Sequence, residues 1–253
     1  MITKEQLAKL SKFYKINETT IFREYLQLLF LSRLYSLAKA KKIFFKGGTA
    51  LHFIYKAPRF SEDLDFTVEE KQEIFYKVIK DVFKKFTKEE SVEFKEKKTI
   101  AGKRFLLTSK PLILTYQVFV SLDFSFREKV LKPKKSIIKT NYPVLFNSYI
   151  YHLSKEEIVA EKIRAVLTRK KGRDLYDLWF LLNKKVSLDS KLIKQKLKYY
   201  NLKNITRKDI INRVKQFSEK DFILDLRPFV SVDQREKLGS FFIYLKDFLN
   251  ENL

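Results

Sequence analysis

Cysteine is absent from the 253 residues, and histidine occurs twice, at His52 and His152. Without thiols there are no disulfides and no thiolate zinc sites. Two imidazoles are too few for a histidine-built metal centre, so any metal held by this chain is held by carboxylates. A long apolar run is missing as well. The most apolar early stretch, Leu26 to Ala38, is broken by Arg33 and is short for a bilayer. Met1 to Lys15 carries charges throughout and has no apolar signal core, which reads as a cytoplasmic protein with no membrane span. Acidic residues are few beside basic ones, 30 against 53, for a formal charge of +23. A field of that sign attracts polyanions, and nucleic acid is the polyanion it points to. Glycine is scarce enough that its placement is informative: two of only five stand back to back.

What is present is enough apolar material, 45% of residues, to bury a core in one large domain or two smaller ones. Most of the 24 phenylalanines belong to that core, although aromatics also offer stacking platforms for bases. Thr3-x-x-Gln6 has the form of a capping box and starts a helix to Tyr14. Asn17 caps a longer helix whose apolar face is Ile21, Tyr25, Leu28, Leu29 and Leu31. Ile43-Phe44-Phe45 reads as a short buried strand, and Glu69 to Phe86 as a helix. From Ser91 the period changes to two. Val92 to Ile100 and Lys103 to Ser109 are expected strands joined near Ala101-Gly102, and Leu112 to Phe126 is expected to continue as strand. Lys132 to Tyr151 holds two prolines and lacks a clear period, so a linker or domain boundary is expected there. Beyond it the chain is helical, with starts at Ser154-x-x-Glu157, near Arg173, at Thr206-x-x-Asp209 and at Ser231-x-x-Gln234.

The stretch Lys46 to Phe66, KGGTALHFIYKAPRFSEDLDF, joins two features of physical interest. Gly47-Gly48 stands at a strand-to-helix corner, where glycine allows positive φ and close approach of a phosphate to helix N–H groups. If Asp63 to Val68 is a strand, Asp63 and Asp65 leave the same face, and two carboxylates that close form a cradle for Mg²⁺ or Mn²⁺. Asp123 lies within an apolar strand, a costly place for a carboxylate unless it is paired or bound to a cation. Gly-Gly-Thr at a helix start, followed by Arg59-x-Ser61-x-Asp63-x-Asp65, resembles the active-site signature of the nucleotidyltransferase superfamily. More narrowly it resembles the AbiEii family, the toxin halves of type IV toxin–antitoxin systems.

A second stretch, Glu161-Lys162 followed by Arg169-Lys-Lys-Gly-Arg173-Asp174-Leu-Tyr-Asp177-Leu, alternates basic and acidic groups around a break between helices. By itself it reads as an interhelical salt-bridge network. It is also similar to the other AbiEii signature, at the expected place after the catalytic domain. The resemblance spans about Ile43 to Leu182 and implies an α+β fold: a nucleotidyltransferase-fold domain, mixed sheet flanked by helices, over 1–150, and a helical C-terminal domain over 151–253, with an active cleft between them. It implies that Gly47, Gly48 and Ser61 hold an NTP, with Lys46, Thr49, Arg59 and Arg173 in the same nucleotide-binding set. Asp63 and Asp65 would bind the metal, with Asp123 as third carboxylate and candidate base. Lys162 would meet the phosphates from a solvated pocket, so that Lys162→Ala would melt like the parent, and Asp174 or Asp177 would complete the cleft. Transfer from NTP to RNA, tRNA acceptor ends in some members, and a cognate antitoxin partner are implied in the same way. Two other readings share the aspartate pair or the fold: a small-molecule nucleotidyltransferase of the aminoglycoside type, and an RNA-binding module that has lost the chemistry.

Overall fold

A computed structural model describes residues 2–99 and 101–253. The chain divides into two compact units, Met1–Lys56 with Phe60–Leu153 and Ala57–Arg59 with Ser154–Leu253.

The first unit opens with helices α1 (Lys4–Tyr14) and α2 (Glu18–Tyr35). Both start on the expected caps: Thr3 accepts from the Gln6 amide in a full capping box, and Asn17 accepts from the Thr20 amide. There follow β1 (Ile43–Lys46), α3 (Gly47–Tyr55), β2 (Leu64–Val68), α4 (Gln72–Glu89), β3 (Val92–Lys97), β4 (Lys103–Ser109), β5 (Val118–Ser125), β6 (Pro133–Ser136) and β7 (Ile150–Leu153). The strands make one mixed sheet in the order β3-β4-β5-β2-β1-β7-β6. β2 runs parallel to β5 and antiparallel to β1, and β1 runs parallel to β7.

One face of this sheet is an aromatic core. Phe66 of β2 stacks on Phe124 of β5 with centroids 4.8 Å apart, and Phe75 of α4 meets Phe124 edge-on at 4.9 Å. Phe30 of α2 and Phe86 of α4 join them, all four of Phe30, Phe66, Phe75 and Phe86 being fully buried. Large aromatic areas removed from water dominate the stability of such a layer. Because side chains alternate along a strand, the neighbours Asp65 and Asp123 must leave the opposite face.

Three expectations need correction here. Residues 132–151 are not a plain linker: they supply β6 and β7 at one end of the sheet. Strand β6 is exposed and lysine-rich, as edge strands often are, so it shows no period. The third strand starts at Val118 and not at Leu112, whose side chain is fully exposed in a turn. Helix α4 begins three residues later than Glu69, and Ile100, expected at the end of a strand, lies outside the described residues.

The second unit is helical: α5 (Lys155–Thr168), α6 (Gly172–Asn183), α7 (Ser190–Lys198), α8 (Arg207–Lys215), α9 (Glu219–Leu226), α10 (Val232–Arg235) and α11 (Leu238–Asn252). Ser154 caps α5 and Thr206 caps α8 as expected, whereas Ser231 makes no side-chain cap on the four-residue α10. At the α5–α6 break, a Cβ on Gly172 would lie 2.8 Å from the Phe222 backbone of α9, so only glycine lets these helices approach.

Candidate active site

The register of the sheet builds the site in the first unit. Lys46 of β1 is opposite Asp65 of β2, Asp65 is opposite Asp123 of β5, and Asp123 is opposite Arg104 of β4. Four adjacent strands thus carry one row of charges, cation, anion, anion, cation. Asp63 stands two residues before Asp65 and immediately before β2 begins.

The glycine corner is tied to this row. Gly47 has φ +79°, the left-handed region that side chains avoid, and a Cβ built on it would lie 2.3 Å from Asp65 Oδ2. The absent side chain of Gly47 is therefore what gives the Asp65 carboxylate its place. Thr49, fully buried in α3, donates its hydroxyl to the Asp63 carbonyl and pins the other end of the Asp-x-Asp segment. The Ser61 carbonyl accepts from Gln27 Nε2 at 3.1 Å, which fixes the approach to that segment. Lys46 pairs at 3.8 Å with Glu128, a carboxylate buried just after β5.

Asp123 has both oxygens engaged. Arg104 Nε donates to Oδ1 at 2.5 Å, and Ser121 Oγ donates to Oδ2 at 3.0 Å. The Arg104 guanidinium is held above its ordinary pKa first by that hydrogen bond to Asp123, against partial burial, and then by the charges of Asp123, Asp63 and Asp65. All three carboxylates therefore act on one cation.

In the second unit, Lys162 of α5 reaches Asp174 at 2.9 Å and Asp177 at 2.6 Å, both on α6. Arg59 donates through Nε and Nη2 to the two oxygens of Asp177, each at 2.6 Å, and Arg169 Nε donates to Asp174 at 2.7 Å. Burial alone would push Asp177 up, but Arg59 and Lys162 hold its pKa below the ordinary carboxylate value. Asp174 is lowered in the same way by Lys162 and Arg169, and Lys162 is held above its ordinary value by the two aspartates despite its burial.

The family model for the nucleotidyl transferase AbiEii toxin of type IV toxin–antitoxin systems matches residues 29–239. The chain belongs to the AbiEii family. It is a nucleotidyltransferase, and the family implies an NTP substrate and an antitoxin partner. Among solved structures it is similar to MenT4, a nucleotidyltransferase toxin of Mycobacterium tuberculosis, with 19% identity over 99% of this chain and 90% of that one, TM-score 0.70. It is also similar to JHP933 of Helicobacter pylori, with 20% identity over 93% of this chain and 94% of that one, TM-score 0.59. Both likenesses are of fold. No curated protein sequence matches the chain. Among the described residues, no helix is long and apolar enough to cross a membrane.

Set against the AbiEii signatures, the geometry gathers Lys46, Gly47, Thr49, Asp63, Asp65 and Asp123 on and around the charged row. It gives several residues partners that the sequence does not show. The three aspartates do not close into a metal cage, and no such group of three occurs among the described residues. The physical reason is that Arg104 and Ser121 take the oxygens of Asp123. Arg59 is buried against Asp177, and Arg173 lies over the Phe229 ring, 4.6 Å from its centroid. Lys162 is not in a solvated pocket: it is 7% exposed, between two carboxylates that are 1% and 0% exposed. Lys162→Ala would take the shared cation from two buried carboxylates, leaving Asp174 to Arg169 and Asp177 to Arg59, so a parent-like melting temperature is no longer expected. Arg104 and Glu128 were missed. The signal for Arg104 was Asp123 itself, a carboxylate in an apolar strand that demanded a cation; Glu128 gave none.

Gly47→Ala introduces both a strained φ, at about 1–3 kcal/mol, and a contact that displaces the Asp65 carboxylate. It should lower the melting temperature and abolish nucleotide transfer, and a variant with full activity would mean that Asp65 is not placed by this corner. Asp177→Asn should cost about 3–5 kcal/mol at neutral pH by breaking a buried pair. Because the folded pKa of Asp177 is depressed, its stabilisation is present above the unfolded value near 4 and is lost as pH falls. The gap in melting temperature between parent and variant should therefore narrow below about pH 4; a gap independent of pH would contradict the ion network.

Proposed function

We propose that this AbiEii enzyme transfers a nucleotide from an NTP to an RNA acceptor, with Mg²⁺ or Mn²⁺ held on Asp63 and Asp65. The observation that carries the reading is the Asp65–Asp123 pairing on adjacent parallel strands, with Asp63 beside it. Like charges placed directly opposite are destabilising without a cation. The donor set is oxygen-only, and Mg²⁺ is usually bound by one or two carboxylates that share it with substrate phosphates, so an open pair fits better than a closed cage. Bound there, such an ion supplies charge stabilisation to an in-line displacement at the α-phosphate, from which pyrophosphate leaves.

The chain's own groups do the rest. The first turn of α3, beginning at Gly47 and Gly48, presents N–H groups without helical partners, suited to a phosphate. Lys46 adds positive charge for the leaving triphosphate end. In the second unit, Lys162 is held charged by Asp174 and Asp177 as positioning residues. Asp123 takes the proton of the attacking hydroxyl once an oxygen is released. Arg59, fixed to Asp177, is a positioning residue and not a phosphate ligand. The +23 charge supports RNA as acceptor over a small molecule, which has no need of such a field.

The test is incubation with each labelled NTP, Mg²⁺ and total cellular RNA, using the parent and Asp63→Asn. Label on RNA with the parent, and transfer lower by orders of magnitude in the variant with RNA affinity retained, is the expected result. Label confined to small molecules would favour an aminoglycoside-type enzyme. No label anywhere would favour a silent RNA-binding module.

A further inference from the structure

Two arginine–aspartate pairs in this chain have similar distances and opposite settings. Arg59 and Asp177 are sealed, with side chains 3% and 0% exposed. Arg104 and Asp123 are open, with side chains 49% and 25% exposed. Burial decides what each pair can do. Breaking the first strands a charge away from water, whereas an exposed pair contributes about 0–1 kcal/mol and can be exchanged for another partner at little cost.

The position of the open pair gives that exchange a meaning. Arg104 belongs to neither AbiEii motif, yet it ends the charged row at the side of Asp123. The hydrogen bond to Asp123 holds it there, and Asp63 and Asp65 also stabilise its charge. It serves as the counter-charge for the carboxylates that the reading above assigns to metal. A guanidinium held on Asp123 and a divalent ion held on Asp63 and Asp65 repel each other at close range, so the two cations do not occupy the row together at full strength.

We propose that Arg104 is a stand-in cation for the metal site. It neutralises Asp123 and screens Asp63 and Asp65 while no ion is bound, and it leaves Asp123 when a divalent ion is taken up. Metal affinity is then set by competition between this guanidinium and the ion. Release of Asp123 also frees the oxygen that accepts the hydroxyl proton, so the base becomes available only in the loaded site. Arg104 is a positioning residue in this scheme, acting through Asp123. The proposal rests on the assignment of Asp63 and Asp65 to metal with Asp123 beside them as base, and its test must fail separately from that assignment.

That test is Mn²⁺ binding without nucleotide, followed by the electron paramagnetic resonance of free Mn²⁺, on the full chain. Arg104→Gln keeps a polar side chain with N–H donors but removes the charge, and should tighten Mn²⁺ by about tenfold or more, the scale of one close charge at a protein surface. Arg104→Lys keeps the charge and should stay within about threefold of the parent by the same reasoning. The gain should vanish when Asp63→Asn is added. The metal-free melting temperature of Arg104→Gln should fall below the parent's, and Mn²⁺ should raise it by more than it raises the parent's. Unchanged or weaker Mn²⁺ binding in Arg104→Gln, including no binding in either protein, would overturn the proposal. So would equal tightening in Arg104→Lys, which would make shape and not charge the cause. If the carboxylate assignment itself is wrong, Asp63→Asn keeps transferring nucleotide; if only the Arg104 proposal is wrong, Asp63→Asn is inactive while Arg104→Gln binds Mn²⁺ like the parent.

Discussion

The cross-strand register that sets Asp65 against Asp123 is the constraint on which the first unit's chemistry depends. A slip of one residue in β2 would turn Asp65 into the aromatic layer and Phe66 out of it, and a slip in β5 would do the same to Asp123 and Phe124. The stacked phenylalanines and the paired aspartates are thus two faces of one pairing. The apolar side secures the register through buried area, and the polar side inherits a geometry that like charges would not adopt by themselves. Lys46 and Arg104 at the ends of the row supply the compensating charge.

The same register explains why the two halves of the glycine–aspartate motif belong together. The antiparallel pairing of β1 with β2 brings the corner after Lys46 beside Asp65, and only a residue without Cβ leaves room for that carboxylate. The eleven residues between Thr49 and Ser61 matter less than their return: Thr49 closes the loop by bonding to Asp63. In the second unit the logic differs. Lys162, Asp174, Asp177 and Arg59 form a buried network whose members satisfy one another, a device that fixes positions at the expense of mobility.

Much of this was legible in the sequence where local chemistry decides. The capping boxes at Thr3 and Thr206, the corner at Gly47, and the alternation around Asp65 depend on near neighbours only. What was hidden depends on pairing across distance. Nothing in the spacing tells that Arg104 meets Asp123 or that Lys46 meets Glu128 among so many lysines and arginines. The burial of Lys162 was equally hidden, because alternating charges read the same on a solvated surface and in a sealed network. Strands β6 and β7 were hidden because four residues are too few to show a period and neither carries an unbroken apolar, aromatic run like that of β1.

The account stands most directly on where a divalent ion binds. Crystals grown with Mn²⁺ and a non-hydrolysable NTP analogue, measured by anomalous diffraction, would locate it. The account predicts an ion against Asp63 and Asp65 with its NTP phosphates, and Asp123 parted from Arg104. An ion bound elsewhere, or one seated at these carboxylates with the Arg104–Asp123 pair still closed, would contradict it.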